Sequence, residues 1–274
     1  LKRAGIIGLG FWVPDAIRRN DAWPASFAET YLEKREATKS ADIMRVERSR
    51  PGRAYEELYQ RHAARYDRDP FNGTVERRVA PPDQPSVEGD AIAVLRALED
   101  ARLEPREVSL LLSSAVVPDR VAPPNATAIQ HLSGCVNASA LGVEAYCASA
   151  GAQLELAAAM VETGKARVVA CVQSHQITRS MSLTHPSSPV FGDAASAFVV
   201  GEVPAERGLV GAVSKCDGSL AGAVTWNYES NLKGTWRSGA QGPVHLGTED
   251  PAALHRLVDN ALAYPIDSIR TLCD

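Results

Sequence analysis

The residue best equipped for chemistry is Cys147. It stands in Glu144-Ala-Tyr-Cys-Ala-Ser-Ala-Gly151, where strand-forming residues give way to a helical pattern within a few positions. Its small neighbours, Ala145, Ala148, Ser149, Ala150 and Gly151, permit a sharp strand-to-helix turn that presents a side chain at the helix start. Backbone N–H groups and the positive end of the helix dipole favour a thiolate there. The same N–H groups can hold a developing oxyanion during acyl transfer. The pattern is that of a nucleophile elbow; a buried core thiol is the competing reading of a cysteine among alanines. The other four cysteines read as ordinary: Cys171 inside a strand, Cys135 and Cys216 in turns, Cys273 in what looks like the start of a strand. Without CxxC or Cys/His spacing, neither a disulfide scaffold nor a zinc module fits, and no metal is expected.

Among the six histidines, His62, His131 and His255 read as structural. His175 and His185 flank the loop before Phe191. His175 follows a strand end, where sites in such sheets gather, and is read as lining a pocket. The Gly8-x-Gly10 pair invites a dinucleotide reading, which fails on Val13 in place of the third small residue and Pro14 where the helix should run.

The elements that must position these residues alternate. Strands are read at residues 3–9 (broken by Gly10 to Asp15), 108–117, 141–146, 167–172 and 194–200. Helices are read at 90–101, 125–132, 152–163 (stopped by Gly164) and 252–263. Alternation of this kind predicts an α/β protein with a mostly parallel sheet, and the continuous apolar run from Val108 predicts a strand covered on both faces. Residues 28–70 differ: nine acidic and ten basic residues are interleaved with four tyrosines, and Pro51-Gly52 splits them. They read as two solvated helices joined by a turn, or as a cap whose arginines meet a phosphate or an acidic carrier protein.

The chain has 274 residues, 45% hydrophobic, with a net charge of −4. That balance argues against nucleic-acid binding. No apolar run is long enough to span a bilayer. Leu1 to Gly10 reads as a first strand rather than a signal peptide, so a cytoplasmic location is expected.

Gly142-Val-Glu-Ala-Tyr-Cys-Ala-Ser-Ala-Gly151 resembles the nucleophile segment of the ketoacyl synthase III family, in the thiolase superfamily. Gly8 to Pro14, Gly73-Thr-Val-Glu-Arg-Arg-Val79, Pro124-Asn-Ala-Thr-Ala, Phe191-Gly-Asp-Ala-Ala-Ser-Ala-Phe198 and Val244-His-Leu-Gly resemble further segments of that family in the same order. The resemblance implies a thiolase fold of two similar halves in a five-layered α-β-α-β-α sandwich. Residues 1–205 would be the first half, with the charged insertion at about 28–70, and 206–274 part of the second. It implies acyl transfer to Cys147, then decarboxylative Claisen condensation with a malonyl-type thioester. It implies no cofactor. Partners would be a coenzyme A or acyl-carrier-protein thioester and a second copy of the chain, whose acyl tunnel the loop from Val121 to Pro124 would approach. The substrate-binding residues so implied are Phe71, Asn72, Val121, Pro123, His175 and Phe191.

Two departures stand out. The family's catalytic histidine and asparagine would lie beyond Asp274, just after the strand whose start is read at Arg270 to Asp274, so a longer protein is expected. Phe71 stands where the family commonly has an arginine that clamps the adenine of coenzyme A. A carrier-protein donor is therefore expected, in polyketide or other specialised fatty-acyl metabolism. Two alternatives remain: an acyltransferase to an alcohol or amine, and, for a complete chain, a non-catalytic dimer partner.

Overall fold

A computed structural model describes residues 3–39, 69–228 and 244–274. The chain forms two compact units. The first comprises Leu1–Ile17, Arg78–Arg179 and Gly192–Ser214; the second comprises Arg18–Arg77, Ser180–Phe191 and Lys215–Asp274. Most of the charged stretch, including the second expected helix, lies outside the described residues.

The first unit is built on one five-stranded sheet of β1 (Arg3–Trp12), β7 (Ala194–Val203), β6 (Val169–His175), β4 (Leu110–Ala115) and β5 (Ser139–Gly142), in that spatial order. The sheet is mixed rather than mostly parallel. β5, β4 and β6 run parallel, whereas β7 is antiparallel to both β6 and β1. The reason lies in the connections. Between the parallel strands the chain crosses back through α3 (Asn125–Leu132) or α4 (Ser149–Glu162), but only loop and a short 3-10 turn separate β6 from β7, so β7 returns in the opposite direction.

Both faces of this sheet are covered. On one face α2 (Ser86–Ala101) and α3 bury Val94, Leu98 and Ile129 against Leu111 and Val172. On the other, α4 packs Ala157, Ala158 and Val161 against Leu110, Leu112, Cys171 and Phe198. β4 is buried along nearly its whole length, as its apolar run predicts. Each fully buried leucine contributes roughly 2–3 kcal/mol of transfer free energy.

Gly8 and Gly10 have a packing role. A Cβ on Gly8 would lie 2.3 Å from the Ala97 carbonyl oxygen, and one on Gly10 2.3 Å from both Ala93 O and Ala97 N. The pair lets α2 settle directly on β1, which removes the ground for a phosphate-binding loop. β1 also runs on through Trp12 instead of breaking at Gly10, because Phe11 and Trp12 stay paired with Ser196 and Ala195.

β2 (Ile17–Arg19) pairs with β3 (Glu76–Arg78), and within the second unit Arg19 meets Glu76 at 2.8 Å. α1 (Phe27–Lys39) is the first helix of the charged stretch. Antiparallel β8 (Thr225–Tyr228) and β9 (Val244–Gly247) precede α5 (Pro251–Asp259), whose N-terminus is capped by Asp250 accepting from Ala252 N and Ala253 N. The expected helix over 252–263 therefore ends early. The expected strand at Arg270–Asp274 is instead the end of a further helix, α6 (Ala263–Cys273). Apolar Ile266, Ile269 and Leu272 recur there at helical spacing, a signal that five residues alone do not carry.

Candidate active site

β5 stops at Gly142, four residues short of the expected strand end, and the segment that follows is built as a tight turn. Val143 N donates to Ser113 O at 2.8 Å and prolongs the ladder by one rung. Tyr146 then takes φ +49, a left-handed conformation that a bulky residue adopts only under constraint. Cys147 sits in the single 3-10 turn Tyr146–Ala148, directly before α4, and is exposed. This is the sharp strand-to-helix turn that the small residues around Cys147 call for.

Burial separates Cys147 from the core thiols. Burial pushes the Cys171 thiol far above its ordinary range, and Cys135 is also raised by burial, against an opposing hydrogen bond from Ser133. Both are held as inert thiols. Cys216 and Cys273 are exposed, but neither stands at a strand-to-helix turn.

The register places Cys147 at a shared edge. Gly142 is opposite Ser113, and Ser174 is opposite Ala115, so β4, β5 and β6 all deliver their carboxyl ends to the same side. His175 closes β6 on that side, and the loop from β4 to α3, with Val121 and Pro123, leaves from it. Sites in open α/β sheets form outside these carboxyl ends. His175 is half-buried, and its imidazole is pulled below its ordinary pKa by burial, with Asp193 opposing. Val121 is 99% exposed and Pro123 exposed.

That loop is anchored by a residue the sequence reading passed over. Asp119 accepts from Ser86 N at 2.9 Å and Val87 N at 3.2 Å, at the start of α2, and meets Arg179 at 2.6 Å. Burial works to raise its pKa, but the Ser86 N–H, Arg179 and the Val87 N–H together hold it below the ordinary value. Asp193, in the Phe191-Gly-Asp segment, is a second anchor. Its carboxylate accepts from Ala80 N, Thr178 N and Thr178 Oγ1, which fastens the exit of β6 to the entry of β7. Its role is thus to hold the chain around His175.

Phe71, Asn72 and Phe191 belong to the second unit. Phe71 packs with Trp23, Phe27 and Tyr31, and the buried Arg77 guanidinium lies over both the Trp23 ring (4.6 Å) and the Phe71 ring (5.5 Å). Burial pulls the Arg77 pKa down, with Asp69 opposing. Asn72 takes φ +49 in the turn after it and accepts from the Tyr31 hydroxyl at 3.4 Å. Phe191 stacks edge-on against Trp226 at 5.5 Å. His185 is fixed by Leu246 O and Ser187 N, 3.1 Å from each. Among the described residues no cluster of His, Cys, Asp and Glu could hold a metal ion, and no helix is long and apolar enough to cross a membrane.

Residues 141–218, which open on the end of β5 and include Cys147, His175 and Phe191, match the family model described as 3-Oxoacyl-[acyl-carrier-protein (ACP)] synthase III. Over this segment the chain is similar to synthase III proteins. It is 34% identical over 148 residues to the beta-ketoacyl-[acyl-carrier-protein] synthase III of Geobacillus kaustophilus, covering 54% of this chain and 48% of that protein. With the enzyme of the same name from Streptomyces lividans it shares 36% over 155 residues, 56% of this chain and 45% of that one. The chain thus spans about half the length of the curated relatives it matches. Among solved structures it resembles the priming beta-ketosynthase from the R1128 polyketide biosynthetic pathway (TM-score 0.63, 24% identity, 90% of this chain and 64% of that). A 3-oxoacyl-(acyl-carrier-protein) synthase III gives a TM-score of 0.64 at 24% identity, over 95% of this chain and 74% of that one. The α/β, thiolase-like fold of synthase III proteins is therefore shared.

Proposed function

We propose that Cys147 takes an acyl group from a thioester and holds it as an acyl-cysteine, the first step of a synthase III-type condensation. The observation that carries this is an exposed cysteine on a constrained turn, at the carboxyl edge of three parallel strands and directly ahead of α4. Thiolate attack on a thioester exchanges one thioester for another, so little energy is lost. Loss of carbon dioxide from a malonyl-type thioester then supplies the carbon nucleophile that takes the acyl group off the sulfur.

In this reading His175, Val121 and Pro123 border the acyl site, and Phe71, Asn72 and Phe191 contribute to substrate binding. Substrates arrive on coenzyme A or on an acyl carrier protein, the carrier being favoured by Phe71 in place of an arginine. No cofactor takes part. The working form is a homodimer, supported by the position of β5 at a sheet edge with Leu141 exposed, and by the nearly complete exposure of Val121. Residues 1–205 and 206–274 belong to successive thiolase halves. The reaction is tested with carboxyl-labelled malonyl thioester after acyl loading. Release of labelled carbon dioxide supports condensation. Acyl loading without release assigns transfer to an alcohol or amine instead.

A further inference from the structure

Glu144 lies three residues before Cys147, on the turn itself. Its side chain makes three contacts around the nucleophile. Oε2 accepts from Ala115 N at 2.9 Å, at the carboxyl end of β4. Oε1 accepts from Tyr146 N at 2.8 Å and from the Ser149 hydroxyl at 3.0 Å. Ser149 Oγ in turn accepts from Ala145 N at 2.8 Å. Every residue from Ala145 to Ser149 is thus enclosed by a bracket that starts and ends on this carboxylate, and the bracket is tied to the neighbouring strand. Tyr146, whose left-handed backbone bends the chain into Cys147, is held through its own N–H by the same oxygen.

We infer that Glu144 is a positioning residue for Cys147: it fixes the turn so that the sulfur projects from the edge of the sheet in one orientation. The inference rests on Cys147 being the acyl-accepting nucleophile. A carboxylate on the same turn as the nucleophile also carries a cost, because a negative charge opposes a second one forming beside it. Three donors take up that charge, and what remains is geometric: a nucleophile displaced by about 1 Å loses up to ~100-fold in rate. The two effects have opposite signs, which makes them separable. Gln at this position keeps a carbonyl oxygen for Tyr146 N and Ser149 Oγ and removes the charge, losing only the contact to Ala115 N. Ala removes everything.

The test is the rate of acyl-adduct formation on Cys147, followed by intact mass against acyl-thioester concentration. Glu144→Ala is expected to lower the limiting rate at least about tenfold and leave the half-saturating concentration within about twofold, while Glu144→Gln restores the rate to within about threefold of wild type. Iodoacetamide labelling of Cys147 and the far-UV spectrum confirm a present thiol and a folded chain in each variant. Should Glu144→Ala fail to fold, Ser149→Ala opens the same bracket from its far end and is expected to slow acylation about threefold or more. Equal rates in wild type and Glu144→Ala, or a Glu144→Gln variant faster than wild type, overturn the positioning role while leaving the nucleophile assignment standing. A wild-type chain that accepts no acyl group overturns both.

Discussion

The Asp193 carboxylate accepts from the Thr178 hydroxyl at 2.6 Å and from the Thr178 N–H at 3.0 Å, inside the first unit and out of water. With Ala80 N as third donor at 2.8 Å, this one side chain holds the segment leaving β6, and with it the surroundings of His175. Asp193→Asn turns an NH2 group toward a backbone N–H or the Thr178 hydroxyl. A loss of about 2–3 kcal/mol is expected, read from urea unfolding at constant m-value. A loss below about 0.5 kcal/mol contradicts the anchoring role.

Asp90 gives the pH dependence. It is fully buried on α2, and among the described residues neither carboxylate oxygen has a hydrogen-bond partner; Ser174 Oγ and Gln176 Oε1 are also buried without one. Burial raises the Asp90 pKa to about 7, with Asp119 pushing it further up and Arg179 pulling it down. The unfolded chain loses this proton near pH 4. Between pH 4 and 7 the folded state binds the extra proton, so stability falls as pH rises through that window and levels off above it. Asp90→Asn removes this slope and is more stable than wild type at pH 8. Chemical unfolding at pH 5, 6.5 and 8 checks it, and a wild type that gains stability over that range contradicts the assignment.

Two glycines make opposite predictions. A methyl group on Gly10 meets the backbone of α2 at 2.3 Å, so Gly10→Ala is expected to cost at least about 2 kcal/mol. Gly151 lies in the first turn of α4 with nothing within 4 Å of a Cβ, so Gly151→Ala stabilises by roughly 0.5–1 kcal/mol. Thermal unfolding of the two variants beside wild type reads both signs.

Arg77 lies over two rings and donates to the Thr74, Pro189 and Asn20 oxygens. Lysine has one charge and no plane to stack. Arg77→Lys is therefore expected to destabilise the second unit by about 2 kcal/mol and to alter the fluorescence of Trp23. Unchanged emission and midpoint contradict it.

The turn at Cys147 was legible in the sequence because small residues cluster only where backbone and helix crowd one side chain. The buried run of β4 was legible because parallel strands covered on both faces lack alternation. Strand direction was not: β7 shows the same apolar pattern whichever way it runs, and only the lack of a helix after His175 decides it. The end of β5 is hidden in the sequence because Val143 and Tyr146 continue a strand-like pattern, while the Glu144 side chain, reaching Ala115 from 29 positions away, closes the segment into a turn. Asp119 and Asp193 escaped a role for the same reason. Their partners are backbone N–H groups and side chains on distant segments, Arg179 for Asp119 and the Thr178 hydroxyl for Asp193, which no spacing in the sequence announces.

Acylation of Cys147 tests the whole account most directly. The chain is incubated with acyl-coenzyme A and acyl-carrier-protein thioesters, and its intact mass and peptide map are read. One acyl adduct, located on Cys147 and absent from Cys147→Ala, is the predicted result. A Cys147 that stays unmodified with every donor, or an adduct that persists in Cys147→Ala, contradicts it.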